Sequence, residues 1–363
     1  MTRRARIAAL TLAALAACPL AACSKAEQAA KPPAKVNPHA TTLRDGFTDL
    51  DGLVRAAKEE GELTLIGVSR DRLNFGALVS RFSEEYGIDV RLAEPDASSG
   101  RQIEAAKRVK PDVFDLRLDV AVANAKHFAP YRVAAWDEIP DDLKEPGGAW
   151  YAAYGGYISI GYDSRQVHAP ASFDDLLRPN AGKAVRVALP GDPRQVAAAF
   201  DGVMASALID GWPKVRHGVE FFTELKKRHR LATPERATVL IDWDHANLTR
   251  GATAGAGTSA WKVVVPRDAV LAGYQVQAIN KNAPHPAAAR LWQEFLFSDT
   301  AQNLLLKGYA RPVRMEAMEM HGTLDAEAAA KLPKANGEPV ILTVPQTDEG
   351  RTYLRGHWTA AVG

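Results

Sequence analysis

The chain has 363 residues, with 45 lysines and arginines against 43 aspartates and glutamates. Residues 1–22 contain three of the arginines and no acidic residue, so the rest of the chain has a formal net charge of −1. A near-neutral body of this kind argues against nucleic-acid binding, which requires an excess of basic residues. Because Cys18 and Cys23 are the only cysteines, the folded part is expected to contain no disulfide.

The first residues predict export. Three arginines precede an apolar run without charges at 7–20, which is shorter than the roughly 20 residues that a membrane-spanning helix needs. A basic start and a short apolar run are typical of a signal peptide, which we place at 1–22.

The run ends in Leu-Ala-Ala-Cys at 20–23, which resembles the lipobox of bacterial lipoproteins and implies acylation of Cys23. The same four residues at 15–18 make Cys18 an alternative, and cleavage near Ala22 without acylation is another. Residues 23–45 are poor in large apolar side chains and are predicted to be a flexible tether, with the fold starting near Phe47.

Beyond the tether, helical and strand patterns alternate along the chain, which predicts an α/β fold with a parallel sheet. The remaining roughly 315 residues exceed the usual size of a single core, so we expect two lobes. Predicted helices lie at 50–60, 75–86, 98–109, 196–209, 218–228 and 286–297, and predicted strands at 63–68, 88–92, 113–120, 157–162, 184–189, 239–243, 261–265 and 274–279.

Six short segments in this order resemble the extracellular solute-binding proteins of ABC importers, the group that handles ferric iron, thiamine, polyamines and phosphonates. These segments are AAKEEGEL (56–63), FSEEYGI (82–88), YDS (162–164), SFDDLL (172–177), NAPHPAA (282–288) and GYARPVR (308–314). One departure from the family pattern is the short connection between Arg228 and Val239, which puts one wall of the cleft in doubt.

The resemblance implies a type II periplasmic-binding-protein fold, with two α/β lobes, a hinge and a ligand cleft. By this analogy lobe 1 comprises 46–155 plus 273–311, and lobe 2 comprises 156–272 plus 312–363. Together with the lipobox at Cys23, it also implies a monomeric, membrane-anchored lipoprotein in the periplasm or on the outer face of the cell membrane. Such a protein captures a small solute by hinge closure and delivers it to an ABC permease. No cofactor, metal or enzymatic activity is expected.

In an open α/β sheet, ligands bind beyond the carboxyl ends of the strands, which directs attention to the polar residues there. Acidic side chains next to aromatic rings would suit an ammonium group, and serines at a helix start would suit an anion. The candidates are Ser69, Arg70, Ser98, Ser99, Asp119, Tyr154, Asp192, Trp243, Asp244 and Tyr274. Helix capping, turn formation and core packing are the alternative roles for these residues.

The candidates favour a polyamine or another amine-bearing solute, followed by a phosphonate. Ferric iron comes third, because iron binders typically offer adjacent tyrosines and no two tyrosines of this chain are adjacent. Two other classes stay open, an exported hydrolase and a lipoprotein without a transport role. The stretch GAGTSA at 255–260 does not fit a dinucleotide-binding loop, because a predicted strand follows it instead of a helix.

Overall fold

The computed structural model of the chain describes residues 36–253 and 260–363. The predicted signal peptide (1–22), the predicted acylation of Cys23, the alternative at Cys18 and residues 24–35 of the predicted tether lie outside the described residues. The end of that tether is packed in the structure: Ala40 is only 3% exposed and its carbonyl accepts a hydrogen bond from Arg290 Nε. No described helix is both long and apolar enough to cross a bilayer.

Helices and strands alternate through most of the described chain. The helices are α1 (Leu43–Phe47), α2 (Leu50–Glu60), α3 (Phe75–Tyr86), α4 (Ser99–Val109), α5 (Leu118–Ala123), α6 (Ala197–Ser206), α7 (Val215–Lys227), α8 (Asp244–Thr253), α9 (Pro286–Leu296), α10 (Asp299–Lys307), α11 (Met315–His321), α12 (Ala326–Ala329) and α13 (Val344–Ala361). The strands are β1 (Glu62–Ile66), β2 (Asp89–Ala93), β3 (Val113–Arg117), β4 (Ala152–Asp163), β5 (Val187–Ala188), β6 (Leu208–Ile209), β7 (Trp212–Pro213), β8 (Val239–Trp243), β9 (Trp261–Val264), β10 (Leu271–Ile279), β11 (Arg311–Pro312) and β12 (Val340–Ile341). Short 3-10 helices lie at Ala125–His127, Trp136–Glu138, Asp141–Leu143, Asp174–Leu177 and Pro234–Arg236.

The first two long helices have the bounds that the sequence predicts. Asp49 caps α2 by accepting a hydrogen bond from the Gly52 amide at 2.8 Å, and Gly61 ends the helix at a φ of 76°. Gly87 ends α3 in the same left-handed conformation, at a φ of 67°. Glycine adopts this conformation without the steric cost that a side chain would add, so both helices stop where the next strand has to begin.

The expected parallel sheet is a mixed sheet instead. In the described residues, ten strands form one sheet whose main path runs β2-β1-β3-β10-β4-β8-β5. The pairs β1–β2, β1–β3 and β5–β8 are parallel, whereas β10 is antiparallel to both β3 and β4, and β4 is antiparallel to β8. Strand β10, at the centre of the main path, therefore runs in the opposite direction to its neighbours β3 and β4.

Several other predicted elements differ from the structure. The strand predicted at 113–120 ends at Arg117, and Leu118–Ala123 is helical, because a short apolar run does not by itself distinguish a strand from a helix. Only Val187–Ala188 of the strand predicted at 184–189 is extended in the sheet. The helix predicted at 196–209 ends at Ser206, and its last two residues form a strand of a separate hairpin.

The apolar core is divided into two large clusters and two smaller ones. The first large cluster lies around Phe82, Trp292 and Phe295, and the second lies around Phe200 and Phe222. Two long strands connect them, since β4 contributes Ala152–Tyr154 to the first cluster and Ile158, Ile160 and Tyr162 to the second. The partition into lobes at 155/156 and 272/273 would place both crossings inside β4 and β10, and it stays a prediction.

Candidate functional site

A cavity of about 690 Å³ lies where β1, β3, β4 and β10 meet the starts of several helices. Its lining includes residues of both large core clusters. The polar and aromatic lining residues are Ser69, Asp71, Arg72, Phe75, Asp96, Ser98, Ser99, Gln102, Asp115, Arg117, Asp119, Tyr154, Asp201, Trp243, His245, Thr249, Tyr274, Gln275 and Thr347. A volume of this size fits a small organic solute.

The end of β3 is held in place by the first turn of α4. Gln102 Nε2 donates to the Asp115 carbonyl at 2.7 Å, and its Oε1 accepts from the Asp115 amide at 3.2 Å. Ser99 Oγ accepts from the Arg117 amide at 3.0 Å. These bonds tie the N-terminus of α4 to alternate residues of β3, so the side chains of that strand keep a defined position at the cavity.

Asp115 lines the cavity without an ion-pair partner among the described residues, as does the exposed Asp71. The Asp115 carboxylate accepts a hydrogen bond from the Tyr154 hydroxyl, at 3.0 and 3.1 Å from its two oxygens, and lies 3.4 Å from Gln277 Nε2. Removal from water raises the pKa of Asp115 to about 7, because these neutral donors only partly replace hydration. Near neutral pH this carboxyl therefore exists in both protonation states.

Two other acidic residues of the cavity share one arginine. Arg117 binds Asp201 of α6 through two contacts, Nη1 to Oδ2 at 2.5 Å and Nη2 to Oδ1 at 3.1 Å. Its Nε donates to Asp119 Oδ1 at 3.1 Å, and Arg351 Nη2 lies 3.5 Å from the other oxygen of Asp119. This network compensates the charges of Asp119 and Asp201, and it joins β3 to α6 across the cavity.

Aromatic side chains form part of the lining next to these charges. Trp243, the last residue of β8, lies parallel to His245 in the first turn of α8, with ring centroids 6.4 Å apart and an interplanar angle of 4°. Burial and the charge of Arg72 lower the pKa of His245 to about 4, so its imidazole is neutral at pH 7. A Cβ at Gly273 would lie 2.2 Å from Trp243 Cη2, so the indole rests directly on the backbone of β10.

The cavity contains most of the candidates from the sequence. Ser69 follows β1, Ser98 and Ser99 begin α4, and Tyr154 and Tyr274 lie on the two crossing strands. Trp243 and Asp119 also line the cavity, although Asp119 lies in the first turn of α5 and not on a strand as expected. The structure thus brings seven of the ten candidates to one place, and direct ligand contact by them stays a prediction.

The other three candidates do not line the cavity. Arg70 is exposed in the loop after β1, and Asp192 pairs with Arg194, Nη2 to Oδ2 at 2.5 Å. Asp244 is fully buried and accepts from Arg311 Nε at 2.9 Å and from two backbone amides. Asp244 is the first residue of α8, because β8 ends at Trp243. The short connection at 229–238 does not contribute to the lining either.

Sequence reasoning missed several lining residues. Asp115 lies in the segment considered for Asp119, two residues before the end of β3, but nothing in the sequence distinguishes it from its neighbours. Asp201 could have been noticed as the single charge in the apolar helix α6. Its partner Arg117 is 84 residues away in the sequence, so their pairing has no local signal. Thr347 lies in a helix that the pattern did not predict.

Comparison with known proteins places the chain in a family. A sequence model described as "Bacterial extracellular solute-binding protein" matches residues 112–337, more than half of the chain. The chain therefore belongs to the bacterial extracellular solute-binding proteins. A search of curated proteins finds no match.

Solved structures agree with this family in fold. The Atu4243 GABA receptor has a TM-score of 0.59 at 19% identity, covering 83% of this chain and 98% of its own. Iron-bound HitA from Pseudomonas aeruginosa has a TM-score of 0.60 at 17% identity (81% and 98% covered), and a periplasmic thiamin binding protein has 0.62 at 18% (83% and 96% covered). The chain thus has the type II periplasmic-binding-protein fold. Proteins of this class bind small molecules and work with ABC permeases.

Proposed function

We propose that this chain is the substrate-binding component of an ABC importer and captures a small amine-bearing solute in the cavity. The observation that carries the proposal is the Asp115 carboxylate, which lines the cavity without an ion-pair partner in the described part of the chain. An ammonium group placed there would form a charge-assisted hydrogen bond with a partly dehydrated carboxylate, which is a strong interaction.

The charge balance of the lining supports a cationic group. The cavity is lined by five aspartates and two arginines, Arg72 and Arg117. Arg117 and Arg351 compensate Asp119 and Asp201, and Arg72 lies 3.7 Å from Asp96. Asp71 and Asp115 then remain as excess negative charge, and Trp243 and Tyr274 offer aromatic faces that attract cations.

The start of α4 supports an acidic group at the other end of the solute. Ser98 and Ser99 line the cavity at the N-terminus of this 11-residue helix, and the Ser98 side chain does not cap it. Helix N-termini favour anions through free amide groups and the helix dipole. A zwitterion such as an amino acid or an aminophosphonate would use both ends, whereas a polyamine would use the acidic side alone.

Capture would follow the hinge closure of this fold. A solute in contact with residues of both large core clusters stabilises the closed arrangement over the open one, and the permease recognises the closed protein. Acylation at Cys23 would hold the protein at the membrane near its permease. The solved relatives bind GABA, iron and thiamin, so their common fold does not determine the solute.

A binding panel tests the proposal. The chain from Ser24, which retains the whole compact unit that starts at Lys35, would be titrated calorimetrically with putrescine, spermidine, 4-aminobutyrate, 2-aminoethylphosphonate, thiamine, glycerol phosphate and ferric citrate. We expect an amine to bind, and a hundredfold excess over Kd to stabilise the fold by about 2.7 kcal/mol.

Two variants identify the site in this assay. Asp115→Asn should weaken amine binding by at least tenfold, because it removes the charge and retains the shape. Asp210→Asn is the matched control, since Asp210 is exposed at a hairpin away from the cavity lining, at a φ of 50° that asparagine tolerates. Binding of glycerol phosphate or ferric citrate alone, or equal amine binding by both variants, would contradict the proposal.

A further inference from the structure

The C-terminal segment 338–363 lies beyond the residues that the family model matches, which end at 337. It is nevertheless part of the central sheet, since β12 pairs with β10 in the register Leu271–Val340 and Ala272–Ile341. The following helix α13 starts with a capping box in which Thr343 and Gln346 each bind the other's backbone amide. Both features fix the position of the first turn of α13 relative to the crossing strand.

The rest of α13 is anchored to both sides of the cavity. Leu354 and Trp358 are buried in the second large cluster, and a Cβ at Gly350 would lie 2.9 Å from Met204 Sδ of α6. On the other side Arg351 Nη2 lies 3.5 Å from Asp119 Oδ2 of α5. Because of these contacts α13 forms a rigid wall rather than a loose terminus.

Three residues of this segment line the cavity, namely Ile341, Leu342 and Thr347. Thr347 is only 2% exposed, and its hydroxyl is one of the few buried polar side-chain groups in the described residues that have no hydrogen-bond partner. It lies four positions before Arg351, so the two side chains share a face of the helix. A buried hydroxyl without a partner is unfavourable unless something else satisfies it.

We propose that α13 forms a ligand-contacting wall of the cavity and that Thr347 determines specificity by hydrogen-bonding an N–H or O–H group of the solute. The inference rests on the proposed function, because it assigns a role within the same cavity. Thr347 Oγ1 accepts a hydrogen bond from the solute there, next to the apolar side chains of Ile341 and Leu342. A solute with a carbon in place of that N–H or O–H would leave the hydroxyl buried and unpaired, and the site would discriminate against it.

Three substitutions separate the hydroxyl from the packing. Thr347→Val retains the shape and removes the hydroxyl, Thr347→Ser retains the hydroxyl, and Thr352→Val is the control on an exposed position of the same helix. In calorimetric titrations with spermidine, 4-aminobutyrate and 2-aminoethylphosphonate, we expect Thr347→Val to raise Kd about tenfold for the solute that binds most tightly. Thr347→Ser and Thr352→Val should remain within about twofold of the wild type.

The outcomes distinguish this inference from the proposed function. A wild-type chain that binds no amine refutes the proposed function. If the wild type binds and Thr347→Val binds equally well, only the role of Thr347 is refuted. Unfolding in urea, measured on each variant without solute, shows whether a change in Kd reflects a misfolded protein.

A chemical labelling experiment tests the wall without any solute. The chain from Ser24 contains no cysteine, so Thr347→Cys and Thr352→Cys each introduce a single thiol. We compare the reaction rates with aminoethyl and sulfonatoethyl methanethiosulfonate. At position 347 the excess of carboxylates should favour the ammonium reagent at least fivefold more than it does at position 352. An equal ratio at the two positions would overturn the placement of Thr347 at an acidic cavity.

Discussion

Because its carboxyl has no ion-pair partner among the described residues, Asp115 is predicted to destabilise the folded protein when no solute is bound. The pKa of Asp115 rises from 3.8 to about 7 on folding, a difference of about 3 units, which corresponds to about 4 kcal/mol. Because the folded state holds this proton more tightly than the unfolded state, stability falls as the pH rises from about 4 to about 7. Asp115→Asn removes this dependence and retains the oxygen that accepts from Tyr154.

The assay is urea unfolding of both proteins at pH 5 and pH 8.5. The variant should be more stable than the wild type at both values, and its advantage should grow by about 2–3 kcal/mol between them. Comparing the two proteins at each pH cancels the titration of other groups. Asp210→Asn provides the control, for which the difference should stay within about 0.5 kcal/mol. A difference between Asp115→Asn and wild type that does not change with pH would refute the assignment.

Amine binding should respond to pH in the opposite direction. An ammonium group favours the ionised carboxylate, so affinity should rise with pH by up to about tenfold per unit below pH 7 and level off above it. Binding near pH 7 should also release a proton from Asp115. Calorimetric titrations in buffers of different ionisation enthalpy measure that release, and its absence would mean that the amine does not lie on Asp115.

Other substitutions test the surroundings of the cavity. Asp201→Asn leaves Arg117 without its bidentate partner and should cost about 3 kcal/mol in urea unfolding, and an unchanged midpoint would contradict the pairing. Gly273→Ala places a Cβ against the indole of Trp243 and should weaken solute binding about tenfold in calorimetry, while binding at wild-type affinity would show that the indole moves freely. Phe82→Ala, at the centre of the first large cluster, should lower the free energy of unfolding by about 3–5 kcal/mol. A lowered midpoint of unfolding in urea would confirm this.

The sequence predicts the parts of the fold whose signals are local. Gly61 and Gly87 mark the ends of two amphipathic helices, and both helices have the predicted bounds. The strand ends at Ile66 and Trp243 were also close to their predicted positions, which brought Ser69 and Trp243 into the list of candidates. Capping and periodicity depend on neighbouring residues, so they can be recognised without tertiary information.

The charge network of the site has no such signal. Arg117 meets Asp201 from 84 residues away, and Arg351 reaches Asp119 from a helix that follows the last predicted element. Whether an acidic residue is free to bind a solute depends on which distant cation reaches it. Asp244, one of the candidates from the sequence, pairs with Arg311 in the structure.

Three aspartates of one segment show why residue type alone cannot identify the ligand contact. Asp112 accepts hydrogen bonds from the amides of Thr64 and His285, at 2.7 Å each, and so joins β1 to the start of α9. Asp119 is held between two arginines, whereas Asp115 meets only neutral donors and lines the cavity. A carboxylate that already has its cation gains little from a second one, but a dehydrated carboxylate without a cation gains a full ion pair from an incoming ammonium group. For this reason we assign the solute's ammonium group to Asp115, whose carboxyl is partly dehydrated and has no ion-pair partner in the described part of the free protein.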